Sequence, residues 1–342
     1  MLRELSARHR SWPLAAPFRI SRGVKHSAEV VVVEIREGDA CGSGESVPYA
    51  RYGETVESVL QQIESVRPAL AQGASRAQLA GLLPAGAARN AVDAALWDLD
   101  AQLAGTSVWS LLRLAPPQVL TTALTVGLDT PERMGQAAAR IASARLLKAK
   151  VDASAPVAQI EAVRRAAPAA RLIVDPNESW NIDLLRELQP ALAEFDVALV
   201  EQPLPAAEDE ALDGFEPAVP ICADESCHVA ADLPRLQGRY QAVNIKLDKT
   251  GGLTEALALR AAARASGFRI MVGCMVCSSL GVAPAFLVAR GAEFVDLDGP
   301  LWLKADHAGG VRSRNGALQP ASPGFWGQAE SAIGGDAAIG AR

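Results

Sequence analysis

Among 342 residues only five are cysteine and four are histidine, and aromatic side chains make up 5%. Five scattered thiols (Cys41, Cys222, Cys227, Cys274 and Cys277) cannot build the disulfide framework of a small secreted domain. Cys274-Met275-Val276-Cys277 is formally a CxxC, but no second one accompanies it and its flanks are apolar. It reads as a pair of core thiols rather than a zinc or redox motif. With so little histidine, Ser226 and Ser278-Ser279 are not read as nucleophiles of a Ser-His system. Lys plus Arg is 33 against 39 Asp plus Glu, a net charge of −6, which lacks the basic footprint of a nucleic-acid binder. No apolar stretch follows the N-terminus. The one nearly uncharged run, 270–289, is broken by Gly273, Ser278, Ser279, Gly281 and Pro284, and reads as a buried strand followed by a helix. The expectation is a cytoplasmic protein without a membrane or nucleic-acid partner.

What is present is a core-forming composition, 49% hydrophobic and 21% charged, long enough at roughly 150 residues per domain for about two domains. The first 50 residues read as strands. Val30 to Val33 is β-branched, and Gly38-Asp39 marks a turn before a second strand toward Val47. From Glu54 to about Leu103, apolar residues such as Val56, Val59, Leu60 and Ile63, then Val92, Leu96 and Leu99, recur at helical spacing. Pro116-Pro117 interrupts the chain, so an α+β domain is expected over 1–115.

Beyond the break, short apolar runs alternate with Ala-rich helical stretches. The runs are 123–126, 146–151, 172–174, 197–200, 221–223, 242–247, 270–272 and 294–295. Charged residues close several of them: Lys150, Asp175, Glu201, Asp224, Lys246 and Asp296. The first five follow one another at roughly the length of one βα unit. Eight strands at this period predict a TIM-like barrel, and no glycine-rich dinucleotide fingerprint follows the first.

In such a barrel the strand ends form the active site. Asp175, Glu201 and Asp224 then neighbour one another around one arc of the mouth, and three converging carboxylates need a cation. Oxygen donors without His or Cys favour Mg²⁺, with Mn²⁺ as a substitute. Lys150 and Lys246 close strands four apart, on opposite sides of the mouth, where they can serve the two faces of one carbon as a racemase or epimerase requires. Lys148 shares a strand face with Lys150 and is expected to lower its pKa. Removing a proton beside a carboxylate creates an enediolate, whose charge a divalent ion and ammonium groups offset. Asp296 and Asp298 fall on one side of the strand end, where two further carboxylates suit a substrate ammonium. Trp180, Trp302 and Trp326 are read as packing residues, and the Ala/Gly-rich stretch from Gln328 as frayed.

Leu147-Lys148-Ala149-Lys150, Val174-Asp175-Pro176-Asn177, Val200-Glu201-Gln202-Pro203, Ala223-Asp224-Glu225-Ser226 and Asn244-Ile245-Lys246 with Gly251-Gly252 resemble the enolase superfamily, in particular its muconate lactonizing enzyme subgroup. Ala95-Leu96-Trp97-Asp98-Leu99 resembles a segment common before the barrel of that superfamily. The likeness implies an α/β fold, a modified (β/α)7β TIM barrel over 116–303. It also implies an N-terminal α+β capping domain over 1–115, joined by the C-terminal segment 304–342, and general-base roles for Lys150 and Lys246. The mandelate racemase subgroup places a histidine after strand seven, where this chain has Gly273-Cys274. Asp296-Leu297-Asp298 is similar to the DxD of the dipeptide epimerases, where it holds the dipeptide N-terminus. Ser21-Arg22-Gly23 and Pro48 to Glu54 resemble their capping loops. The likeness further implies that Thr125, Lys148 and Cys274 line the substrate pocket. It leaves open whether Arg22 or Lys25 meets a substrate side chain, and what Arg51, Tyr52 and Cys277 do. The function implied is Mg²⁺-dependent epimerisation at the α-carbon of a dipeptide's C-terminal residue. The alternatives are an o-succinylbenzoate synthase or muconate-type cycloisomerase on the same scaffold, whose anionic substrates offer no ammonium to the aspartate pair, and a non-catalytic binding protein. Barrels of this type often associate, so a homo-oligomer is also expected.

Overall fold

A computed structural model describes residues 2–329. The chain opens with three antiparallel strands, β1 (Glu4–Ile20), β2 (Gly23–Glu37) and β3 (Ala40–Ser46). The run Val30 to Val33 is apolar without alternation because both faces of β2 are covered. Val31, Val33 and Ile35 enter the core of the N-terminal unit, while Val30 and Val32 join the main core of the molecule. Helices α1 (Val56–Ser65), α2 (Arg76–Leu82) and α3 (Ala87–Leu103) follow. The first two begin with capping boxes, Thr55 with Ser58 and Ser75 with Gln78, which satisfy otherwise orphaned N–H groups.

Helix α3 is buried along nearly its whole length, and its polar residues point into contacts rather than solvent. Asn90 Nδ2 donates to Asp248 Oδ1 at 2.8 Å, Arg89 Nη2 to Thr250 O at 2.6 Å, and Asp93 accepts from Thr254 N at 3.0 Å. Asp98 accepts from Ser43 N and Gly327 N. The helix thereby ties the N-terminal sheet to the segment that follows Lys246.

Eight parallel strands come next: β4 (Leu124–Val126), β5 (Leu146–Lys150), β6 (Arg171–Asp175), β7 (Val197–Glu201), β8 (Ile221–Ala223), β9 (Ala242–Lys246), β10 (Arg269–Gly273) and β11 (Phe294–Asp296). They pair in sequence order, and Ala123 N to Val295 O at 2.7 Å links the last back to the first. All eight expected strands are present, in the expected order. Their floor is a plug of one inward residue per strand: Ala123, Leu146, Ile173, Leu199, Cys222, Ala242, Met271 and Phe294. The uncharged run 270–289 forms β10 and then the buried short helices Ser279–Val282 and Ala285–Ala289. Among the described residues no helix is long and apolar enough to cross a membrane.

The segment after the barrel returns to the N-terminal unit: Lys304 N bonds Pro13 O and Trp326 Nε1 bonds Ser43 O. The expectation that the chain frays from Gln328 fails at its start. Gln328 bridges to Ser107 and is buried, and Ala329 N reaches Thr106 O at 2.9 Å. The rest of that stretch, 330–342, lies outside the described residues.

Candidate active site

Strand alternation raises the polar site directly above the apolar plug. Two residues beyond each plug residue stand Thr125, Lys148, Asp175, Glu201, Asp224, Asn244, Gly273 and Asp296. A further two residues along, Lys150, Lys246 and Asp298 form the rim. Gly273 is the one position in this layer without a side chain. A β-carbon there would meet Asn244 Oδ1 at 2.8 Å and Lys246 Cε at 3.1 Å, so its absence leaves room for the lysine.

The five carboxylates at the strand ends are interleaved with lysines. Lys148 Nζ lies 3.0 Å from Asp175 Oδ2, 2.7 Å from Glu201 Oε2 and 2.7 Å from Asp296 Oδ2. Lys150 Nζ takes the same Asp175 oxygen at 2.5 Å, so the two lysines do share a side of β5. Lys246 Nζ reaches Asp224 Oδ2 at 2.6 Å, and Lys249 Nζ reaches Asp224 Oδ1 at 2.7 Å. Asn244 Nδ2 donates to Glu201 Oε1 at 2.9 Å.

These neighbours divide the carboxylates electrostatically. Burial by itself would raise Asp175, but the ammoniums of Lys148 and Lys150 outweigh it and bring the group down to about 2. Asp224 is likewise driven well below the usual range against its burial, by Lys246, Lys249 and Lys148. Glu201 goes the other way: burial, then repulsion from Asp175 and Asp224, push it up to about 7. Burial and repulsion from Asp296 push Asp298 up to about 6. Lys148 is buried, yet Asp175, Asp296 and Glu201 together raise it well above an ordinary lysine, so it is a fixed cation at neutral pH.

Lys148 Nζ lies between Asp175 and Glu201, and Lys246 and Lys249 take the two oxygens of Asp224. Among the described residues no three acidic, His or Cys groups converge on one metal-sized point. The donor chemistry nevertheless fits a hard divalent cation. All three carboxylates are fully buried on adjacent strands, and carboxylate oxygens without His or Cys are the donor set that a hard divalent cation takes.

Asp296 and Asp298 both line the pocket. Asp296 Oδ1 is buried without a hydrogen-bond partner. Asp298 Oδ2 accepts from Thr125 N at 2.8 Å and from Trp302 Nε1 at 3.3 Å. Trp302 also meets Phe18 edge to face, with ring centroids 4.7 Å apart. It therefore orients a pocket carboxylate, which its reading as a packing residue missed. Trp180 and Trp326 do pack, each buried with its indole N–H on a backbone carbonyl. Thr125, Lys148 and Cys274 reach the pocket wall; Cys277 is buried behind it.

The pocket encloses about 60 Å³ and is roofed by the N-terminal unit. Arg22 Nη2 bonds Glu225 Oε1 at 2.7 Å and its Nη1 bonds Asn177 O at 3.0 Å. Arg51 pairs with Glu178 outside the pocket. Asn177 and Glu178, just past Asp175, both hold left-handed backbone (φ 47° and 67°), a strained exit that presents the Asn177 carbonyl to the roof. Lys25 and Tyr52 line the pocket. Lys25 Nζ lies 4.8 Å from the Tyr49 ring centroid, and burial lowers its pKa.

Sequence reasoning missed Asn244, Glu225, Trp302 and Lys249. Asn244 was within reach, since it stands two residues before Lys246 on the same strand face. Nothing local marks Trp302.

The chain matches two family models: "Mandelate racemase / muconate lactonizing enzyme, N-terminal domain" over residues 2–113 and "Enolase C-terminal domain-like" over residues 133–325. It is 48% identical to the L-Ala-D/L-Glu epimerase of Escherichia coli (strain K12), covering 93% of this chain and 99% of that protein. It is 44% identical to the N-acetyl-D-glutamate racemase of a Pseudoalteromonas species, covering 88% and 96%. Among solved structures, an enolase family member from Agrobacterium tumefaciens holding sodium and L-Ala-L-Glu superposes with a TM-score of 0.93 at 48% identity, over 95% of this chain and 100% of that one. A dipeptide epimerase from Enterococcus faecalis, in complex with Mg and L-Leu-L-Tyr, gives 0.86 at 30% identity, over 94% and 98%.

Proposed function

We propose, for a chain that belongs to the mandelate racemase/muconate lactonizing enzyme family of the enolase superfamily, that it is a dipeptide epimerase inverting the α-carbon of the C-terminal residue. The observation that carries this reading is the placement of Lys150 and Lys246 on strands four apart around one closed barrel, both facing the same pocket. One lysine removes the α-proton from its face of the substrate and the other returns a proton to the opposite face. Lys148, held as a cation by three carboxylates, stabilises the negative charge that develops on the substrate carboxylate. Asp175, Glu201 and Asp224 would hold Mg²⁺, with Mn²⁺ as a substitute. When bound, the ion supplies positive charge beside that carboxylate.

Asp296 and Asp298 take the α-ammonium of the dipeptide. Asp296 Oδ1 is a buried acceptor without a hydrogen-bond donor, and the pair is expected to prefer a free amine over an acylated one. This reading assigns residues 1–115 with the C-terminal segment from 304 to the cap, and 116–303 to the catalytic barrel. We assign Lys25, on the roof of the pocket, to the substrate side chain, where an ammonium suits a C-terminal glutamate.

The test is hydrogen exchange in D₂O with Mg²⁺ and L-Ala-L-Glu, beside N-acetyl-L-glutamate and a set of other L,L-dipeptides. Deuterium enters Cα of the C-terminal residue of the dipeptide, and Lys150→Ala and Lys246→Ala each slow turnover by about 100-fold or more. Turnover of N-acetylglutamate with no exchange into any dipeptide would overturn the assignment of the aspartate pair. Turnover of an anionic cyclohexadiene acid instead would restore the dehydratase or cycloisomerase alternative.

A further inference from the structure

Three of the lysines among the strand-end carboxylates line the pocket; Lys249 does not, and its side chain is fully shielded. A buried ammonium is costly unless each of its protons finds an acceptor. Lys249 Nζ finds three: Asp224 Oδ1 at 2.7 Å, Asn244 O at 2.9 Å, and Asp224 O. These acceptors belong to the ends of two neighbouring strands. The β8–β9 ladder consists of Cys222 with Ala242 and Ala223 with Val243, and stops short of Asp224 and Asn244. The next pair, β9–β10, keeps its ladder through Lys246 and Gly273. Where the backbone ladder gives out, the lysine joins the two carbonyls in its place.

The route of Lys249 back to this point is also fixed. After Lys246 the chain makes one helical turn, Leu247–Thr250, closed by Gly251 at φ 76°. Gly251 and Gly252 lie against the Arg89 and Asp93 side chains of α3, where a β-carbon would clash. The turn brings residue 249 back over the end of the strand that carries Lys246.

We propose that Lys249 is a positioning residue that ties the ends of β8 and β9 together. It holds Oδ1 of Asp224 so that Oδ2 stays turned toward Lys246 and the pocket. The proposal rests on Asp224 being a metal-holding carboxylate, as in the functional reading above, but its first readout needs no substrate. The outer oxygen of Asp224 is set by a charge, so a neutral side chain of similar length does not replace it.

The test uses the full chain with Lys249→Met and Lys249→Ala. Mg²⁺ is titrated by calorimetry without substrate, folding is followed by far-UV circular dichroism and thermal melting, and kcat and KM are measured on the dipeptide that turns over. Lys249→Met is expected to fold, to bind Mg²⁺ about 10- to 100-fold more weakly, and to lose kcat by a similar factor with KM little changed. In Lys249→Ala, added propylammonium recovers Mg²⁺ affinity while 1-propanol, of similar size but uncharged, does not. Wild-type Mg²⁺ affinity and kcat in Lys249→Met overturn the proposal. Equal rescue by the alcohol overturns it in favour of packing alone. Failure of both variants to fold, with the amine present, overturns it in favour of a fold determinant. If the wild type turns over no dipeptide while Lys249→Met still loses Mg²⁺ affinity, the substrate reading fails and the positioning role stands.

Discussion

Lys25 illustrates what a single side chain decides at this site. Its ammonium lines the pocket and rests against the Tyr49 ring, whereas the neighbouring Arg22 is already matched by Glu225 and Glu178. A half-buried cation beside an aromatic face retains the capacity to bind an anion, and a charge-assisted hydrogen bond contributes about 1.5–3 kcal/mol. Lys25→Met is therefore expected to raise KM for a dipeptide ending in glutamate about tenfold to a hundredfold, while KM for one ending in leucine moves little. Steady-state kinetics on the two substrates checks this, and an equal loss on both would remove Lys25 from side-chain selection. At the same scale, residues that project from strand ends were legible because alternation with period two assigns their side. Asp175, Glu201, Asp224, Lys150 and Lys246 are of this kind. Trp302 was not legible, because its bond to Asp298 depends on a short helix that folds back over the mouth.

At the scale of elements, the apolar runs between 123 and 295 announced all eight barrel strands, and the helical spacing from Glu54 to Leu103 announced the helices of the cap. The closeness of their packing was not visible. Strand β3 presses Gly42 and Gly44 against α3, and a β-carbon at Gly42 would overlap Ala95 O and Leu99 N. These obstructing atoms are helix backbone and cannot rotate away. Gly42→Ala is expected to destabilise the protein by about 1–3 kcal/mol, read as a lower urea midpoint. Gly73→Ala tests a different cause, since nothing lies near its β-position but its φ is 86°; its cost is backbone strain alone, about 1 kcal/mol. In sequence, a glycine at a close approach and one at a turn look alike.

Across the whole molecule, cap and barrel are joined through buried carboxylates. Glu45 at the end of β3 accepts from Ser278 N at 2.7 Å and Ser278 Oγ at 2.6 Å, beyond β10. Burial pushes it up to about 7 even though both bonds oppose the shift. The folded state thus retains a proton that the unfolded chain releases near 4.5. In that interval the native state binds more protons, so stability falls as pH rises from about 4.5 to about 7 and levels off above. The Glu45 contribution is on the order of 3 kcal/mol. Glu45→Gln is expected to flatten that slope in urea melts at pH 5 and pH 7.5; an unchanged slope would place the titration elsewhere. The sequence alone determined the strand count, the barrel, and the carboxylates and lysines at strand ends. Period-two alternation and βα spacing are local properties, written wherever a strand occurs. Tertiary structure decided which ammonium meets which carboxylate, that Lys249 bridges two strand ends, and that among the described residues Arg22 meets carboxylates while Lys25 meets the Tyr49 ring. Those outcomes depend on distances between segments far apart in the chain, which only closure of the barrel and docking of the cap bring together.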